Sequence, residues 1–233
     1  MAGARYQGER HRALQQPCCD ALYQWQGQGP INGFVICDGA GGEAAVAQAA
    51  AFGARAAWRA LNAVQRERER ALRRRTVPAK QLLQQRFAGA FWGAYGTRPS
   101  RDHTVLACLW THHQLLIAQL GDSTVLVKRQ GQWQLPIAPT KGAYANETSF
   151  LRRSTPADAI GLWWCDLHQV EGLLGFSDGL EAAFLAPRPD SPEQLQPHHA
   201  LAELVLSQQR LRFGARSYGD WLRRSLADEG LQA

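Results

Sequence analysis

Residues 31–37, Ile31-Asn32-Gly33-Phe34-Val35-Ile36-Cys37, are apolar at most positions and stop on Asp38-Gly39, the pattern of a core strand that delivers an acid into a loop. From Glu43 the period changes. Val46, Ala50, Gly53, Ala57, Leu61 and Val64 recur at steps of three and four, which predicts a helix with one buried face. Alanine on nearly every side of it predicts close packing against a sheet. After Pro78 the spacing predicts a second helix, with Leu83, Phe87, Ala90 and Ala94 on one stripe and Gly93, Gly96 and Pro99 closing it. Three β-rich runs follow, within 103–110, 114–120 and 123–129, separated by turn-sized gaps, and they read as an antiparallel meander. The meander continues past a turn at Gly131. An irregular stretch covers about 136–156, and two further strands are predicted at 160–167 and 172–177, the second ending on Ser177-Asp178-Gly179. The proline-rich segment 187–197 reads as a loop, with helices near 198–210 and 217–228 after it. Strands and helices come in blocks rather than in alternation. The predicted class is therefore α+β, in one domain over 1–233.

Charge changes this picture little. The formal net charge of +6 is concentrated in 65–80, where Arg66, Arg68, Arg70, Arg73, Arg74, Arg75 and Lys80 fall together. Glu67 and Glu69 interrupt the run, and no aromatic side chains are interleaved to stack on bases. A solvated helix end and loop is the expectation, with no nucleic acid as partner. The five cysteines include no C-x-x-C pair and no zinc spacing, which fits free, largely buried thiols in a reducing compartment. The first sixteen residues lack the apolar core of a signal peptide. No membrane-spanning stretch is evident either, so a cytoplasmic location is expected.

Two strands ending on Asp-Gly carry the chemistry. A single strand-end aspartate reads most simply as a turn or a helix cap. Two of them, Asp38-Gly39 and Asp178-Gly179, suggest hard-cation binding, because Mg²⁺ and Mn²⁺ take few carboxylates, backbone carbonyls and water. The implied geometry is two facing sheets whose strand ends bring Asp38 and Asp178 together.

The segments VICDGAGG, LLIAQLGDSTVLV and LLGFSDGL, in that order, resemble the metal-dependent protein phosphatases of the PPM group, also called type 2C. The segments at 11–22 and 141–151 are similar to those of bacterial members, and the likeness runs from about Gly8 to Glu181. The resemblance implies an antiparallel β-sandwich flanked by pairs of helices, and hydrolysis of phosphoserine and phosphothreonine by a metal-bound water. It implies two Mn²⁺ or Mg²⁺ ions, bridged by Asp38, with the Gly39 carbonyl and Asp178 as further ligands and Asp20 holding metal-bound water. Asp122 matches a structural turn position. His11, or its neighbour Arg12, is assigned to the phosphate. The implied partner is a phosphorylated protein, the substrate of a bacterial serine/threonine kinase. Two ions about 3.5–4 Å apart can lower the pKa of a shared water and hold it in line with phosphorus. No side-chain nucleophile is then needed.

The pattern departs from the family at three places. Ala40 stands where many relatives carry a histidine, and Cys19 where a glutamate is common before the first aspartate. The family also closes on an aspartate leading into a last strand, whereas Asp220 and Asp228 lie in helix-like surroundings with no apolar strand after them. A last strand is thus missing by the family pattern. The first reading is an active phosphatase. The second is a degenerate phosphatase-like module that binds phosphorylated partners or regulates a kinase. A nucleic-acid-binding domain, resting on the arginine run alone, is a distant third.

Overall fold

The structure, a computed structural model, describes residues 13, 15–26, 30–140 and 148–211. One sheet contains β1 (Ala21–Gln26), β2 (Asn32–Cys37), β3 (Val105–Trp110), β4 (Gln114–Leu120) and β7 (Gly161–Asp166), in that order and antiparallel throughout. A second sheet has the order β6 (Gln132–Gln134), β5 (Thr124–Arg129), β8 (Gly172–Phe176).

The period-2 alternation of these strands decides how the layers stack. Phe34, Leu106, Cys108, Leu115 and Ile117 leave one face of the larger sheet and meet Val125 and Val127 of β5 in one apolar cluster. The alternate residues, Val35, Cys37, Val105, Ala107, Leu109, Leu116 and Ala118, pack against the helices α1 (Ala44–Arg73) and α2 (Lys80–Tyr95). Beyond the smaller sheet, Leu126, Trp133 and Phe176 meet Phe184 of the short α3 (Glu181–Phe184) and Ala202, Val205 and Leu206 of α4 (His199–Leu211). The result is a helix–sheet–sheet–helix sandwich, as the α+β reading expects. Trp133 Nε1 donates to Glu203 Oε1 at 3.0 Å, and Lys128 pairs with the same carboxylate, which ties α4 to the outer sheet.

Four local expectations need correction. The three-strand meander is split: β3 and β4 pair, but β5 crosses to the other sheet through the turn at Gly121. Gly121 has φ +102°, and a Cβ there would lie 2.7 Å from Thr104 Cβ, so this crossing requires glycine. The buried stripe of α2 is Leu83, Gln84, Phe87, Phe91 and Tyr95; Ala90 and Ala94 are only half-buried, and Gly93 lies within the helix rather than closing it. Segment 187–197 is not a loop. It lies within a hairpin of β9 (Leu185–Arg188) and β10 (Ser191–Pro197), in which the prolines fit a two-stranded edge with a register shift between Ser191 and Leu195. Finally, the arginine run is helical as far as Arg73, so Arg68 falls one turn after Val64 on the buried face. It is 7% exposed, with its guanidinium 4.6 Å from the centre of the Trp164 ring. The other cations from Arg66 to Lys80 are exposed, as expected. All five cysteines are free, three buried and two half-buried. Among the described residues no helix is long and apolar enough to cross a membrane.

Candidate functional site

Strand register alone brings the acids together. Ala21 faces Cys37 across the β1–β2 ladder, so the next residue outward on each strand is an aspartate, Asp20 and Asp38. Thr124 faces Phe176 across β5–β8, and two residues outward lie Asp122 and Asp178. Both ladders end on the same side of the sandwich. There the half-buried Asp38 carboxyl is hydrogen-bonded to both Asp20 and Asp178. Burial chiefly, and then the charges of Asp20 and Asp178, push its pKa up to about 10. Every influence on this carboxyl acts in the same direction.

Asp122 sits in the turn between β4 and β5, as expected, and its carboxyl also feels the acidic field of Asp178. It is 9% exposed; one carboxyl oxygen accepts from the Thr148 hydroxyl, and the other is buried without a partner. Burial, with smaller contributions from Asp178 and Glu181, raises its pKa despite the Thr148 bond. Its signal in the sequence was Gly-Asp-Ser two residues ahead of a strand. That signal becomes legible only once β5 is known to pair with the strand that carries Asp178.

The loop after Asp38 is held mainly by backbone hydrogen bonds, with one side-chain hydroxyl, that of Thr104, among them. Thr104 N–H donates to Asp38 O at 2.8 Å, Asp38 N–H donates to Thr104 Oγ1 at 3.1 Å, and Ala40 N–H donates to Asp102 O at 3.0 Å. Gly39 and His103 bridge as an antiparallel pair. Asp102 is gripped by both arms of Arg152, with Nε to Oδ1 at 2.8 Å, and this hydrogen-bonded pairing holds its carboxyl below the usual range. A Cβ on Gly39 would meet Val46 Cγ1 at 2.6 Å and Cys19 O at 2.9 Å, so the loop can lie this low only with glycine. Cys19 Sγ bonds to Pro17 O and Glu43 O, both at 3.6 Å, and so fastens the segment before Asp20 to the start of α1. Ala40, in the family's histidine position, is exposed.

Three of the sequence-derived ligands, Asp20, Asp38 and Asp178, therefore converge, and Gly39 adjoins them. His11, Arg12, Asp220, Asp228 and most of the segment 141–151 lie outside the described residues. The carboxyls meet one another directly through hydrogen bonds. Among the described residues no group of three or more His, Cys, Asp or Glu side chains stands as a ready-made ion site. The donor set nevertheless fits a hard divalent cation in its chemistry. It offers oxygen ligands only, several negative charges in a partly desolvated place, and a carboxyl that resists ionisation until a cation offsets its neighbours.

The family model described as protein phosphatase 2C matches residues 7–226. The fold is similar to that of an arginine-to-alanine variant of a bacterial serine phosphatase, at 16% identity and TM-score 0.54, covering 93% of this chain and 87% of that one. It is also similar to the serine/threonine phosphatase Stp1 from Staphylococcus aureus, at 16% identity and TM-score 0.52, covering 93% and 85%. The photosystem II phosphatase PBCP aligns at 17% identity and TM-score 0.50, over 91% and 73%. At these identities the likeness shows the fold. No curated protein matches in sequence.

Proposed function

Since the chain belongs to the protein phosphatase 2C family, we propose that it is a metal-dependent phosphatase acting on phosphoserine and phosphothreonine in proteins. The observation that carries this is the meeting of Asp20, Asp38 and Asp178 at the paired strand ends, with Asp38 held un-ionised by burial and then by its neighbours. A scaffold would gain nothing from that arrangement, because clustered carboxyls without a cation destabilise a fold.

Asp38, the Gly39 carbonyl and Asp178 would hold the ions, with Asp20 alongside. When bound, a pair of Mn²⁺ or Mg²⁺ ions supplies an activated water and neutralises phosphoryl oxygens. The chain's own part is positional: two antiparallel ladders fix the carboxylates, and the 102–104 segment fixes the loop that follows Asp38. Ala40 has no proton to give, so the role that a histidine fills in many relatives is not filled at this position. His11 and Arg12 are assigned to the incoming phosphate, whose charge a histidine or guanidinium complements. A phosphorylated protein in the cytoplasm, made by a bacterial serine/threonine kinase, is the proposed substrate.

The test is hydrolysis of an aryl phosphate and a phosphothreonine peptide, with and without Mn²⁺, beside Asp38→Ala. We expect ion-dependent turnover that falls by at least about 10²-fold in the variant, the order lost when an electrostatic stabiliser is removed. A folded chain that stays inert with every divalent ion would sink the enzyme reading and leave a phosphopeptide-binding module in its place.

A further inference from the structure

Thr104 lies where three elements of the site meet, and nothing in the proposed chemistry uses its hydroxyl. Extending the β2–β3 register by two residues from Ile36–Leu106 places Thr104 opposite Asp38. Extending the β3–β4 register by one residue from Val105–Leu120 places it opposite Gly121, next to Asp122. Its side chain is 1% exposed. The hydroxyl oxygen accepts from Asp38 N–H at 3.1 Å, and it is 3.0 Å from the hydroxyl of the fully buried Ser123. Since the Thr104 oxygen already accepts, its own hydrogen is free to reach Ser123. The Thr104 backbone N–H returns a bond to Asp38 O at 2.8 Å. One residue thus holds the main chain of Asp38 on both sides and joins it to the turn that carries Asp122.

A threonine between a β-bridge at His103 and the start of β3 needs no such hydroxyl for packing, and valine would fill the same volume. What the hydroxyl adds is a link between the two ladders, one ending in Asp20 and Asp38 and the other in Asp122 and Asp178. We propose that Thr104 is a positioning residue, whose hydroxyl, relayed through Ser123, sets the spacing of the two aspartate pairs toward a divalent cation. The inference rests on the metal-site reading above. The small contact around it agrees: a Cβ at Gly121 would fall 2.7 Å from Thr104 Cβ, so the turn is seated directly on this side chain.

The prediction separates Thr104→Val from Thr104→Ser, with Ser123→Ala as a second break in the relay. Two readouts are taken on the full chain: Mn²⁺ affinity by calorimetry, and hydrogen exchange at the Asp38 amide. Thr104→Val should bind Mn²⁺ at least tenfold more weakly and lose Asp38 amide protection by a similar factor, while Thr104→Ser restores both. Ser123→Ala should weaken Mn²⁺ but leave the Asp38 amide protected, because the Thr104 oxygen still accepts from it. Wild-type Mn²⁺ affinity in a folded Thr104→Val chain would overturn the inference. If the wild-type chain itself takes no Mn²⁺, the metal-site reading fails. The positioning role then stands or falls on the Asp38 exchange alone: lost protection in Thr104→Val and its return in Thr104→Ser support it, and unchanged protection removes it.

Discussion

Asp38 shows what one residue's surroundings can do that its identity cannot. The sequence marks it as an acid at the end of an apolar strand, which already points to a cation. Only the folded chain buries it and, through the β1–β2 and β5–β8 registers, puts Asp20 and Asp178 against it; burial first and these neighbours next raise its pKa to about 10. The sign follows from the direction of that shift. An unfolded chain ionises Asp38 near the ordinary carboxylate range, whereas the folded metal-free chain keeps it protonated. Stability from this group is therefore fully present below about pH 4 and is lost progressively as pH rises toward 10. Asp38→Asn, studied in a chelator, should be more stable than the parent at pH 8 by about 1–3 kcal/mol, the range for a buried polar group relieved of its penalty. The gap should close near pH 4. Thermal melts across pH would show this, and a variant that is less stable at pH 8 would contradict the electrostatic account.

At the scale of the element, α1 illustrates a helix whose stripe was legible and whose contacts were not. The three- and four-residue recurrence of Val46, Ala50, Gly53, Ala57, Leu61 and Val64 identified the buried face, and the structure agrees at each of these positions. That Gly53 faces a histidine could not be read from that recurrence. His103 is fully buried against Tyr95 and Phe91; its Nδ1 bonds to Arg101 O at 2.7 Å and Nε2 has no partner. A Cβ on Gly53 would strike Nε2 and come within 2.7 Å of Cδ2. Gly53→Ala should consequently destabilise by about 1–3 kcal/mol through overpacking, even though alanine in a helix interior is favoured over glycine by about 1 kcal/mol. Denaturant unfolding measures it. A stabilised variant would mean that the ring moves aside without strain. The proline-rich hairpin and the split meander were missed for a related reason. Both depend on which strand lies beside which, and local composition carries no record of neighbours distant in the chain.

For the whole molecule, the sandwich places its ion-ligand candidates on two different sheets, so anything that ties Asp38 to Asp178 also ties layer to layer. Metal should therefore stabilise the fold as well as enable turnover. At a free Mn²⁺ concentration 100 times Kd the gain is about 2.7 kcal/mol. In a chain of this length that corresponds to roughly 5–10 °C in Tm. Scanning calorimetry with Mn²⁺ and then with excess chelator should show the shift appear and reverse, and Asp38→Ala should abolish it. A shift that survives in Asp38→Ala would place the ion elsewhere.

The apolar periods, glycines and aspartates of the chain determined by themselves the class of the fold, the strand and helix that flank Asp38, and the order of motifs that marks the family. These are properties of short windows, where a side chain's preference acts on its own backbone. The tertiary structure alone decided that β5 leaves its neighbour for the second sheet, that Asp122 joins the acidic field, that Arg68 is buried over Trp164, and that Thr104 stands between the two pairs of acids. Each of these depends on register between segments far apart in sequence. Register is set by which faces must be buried together, and that balance belongs to the folded whole.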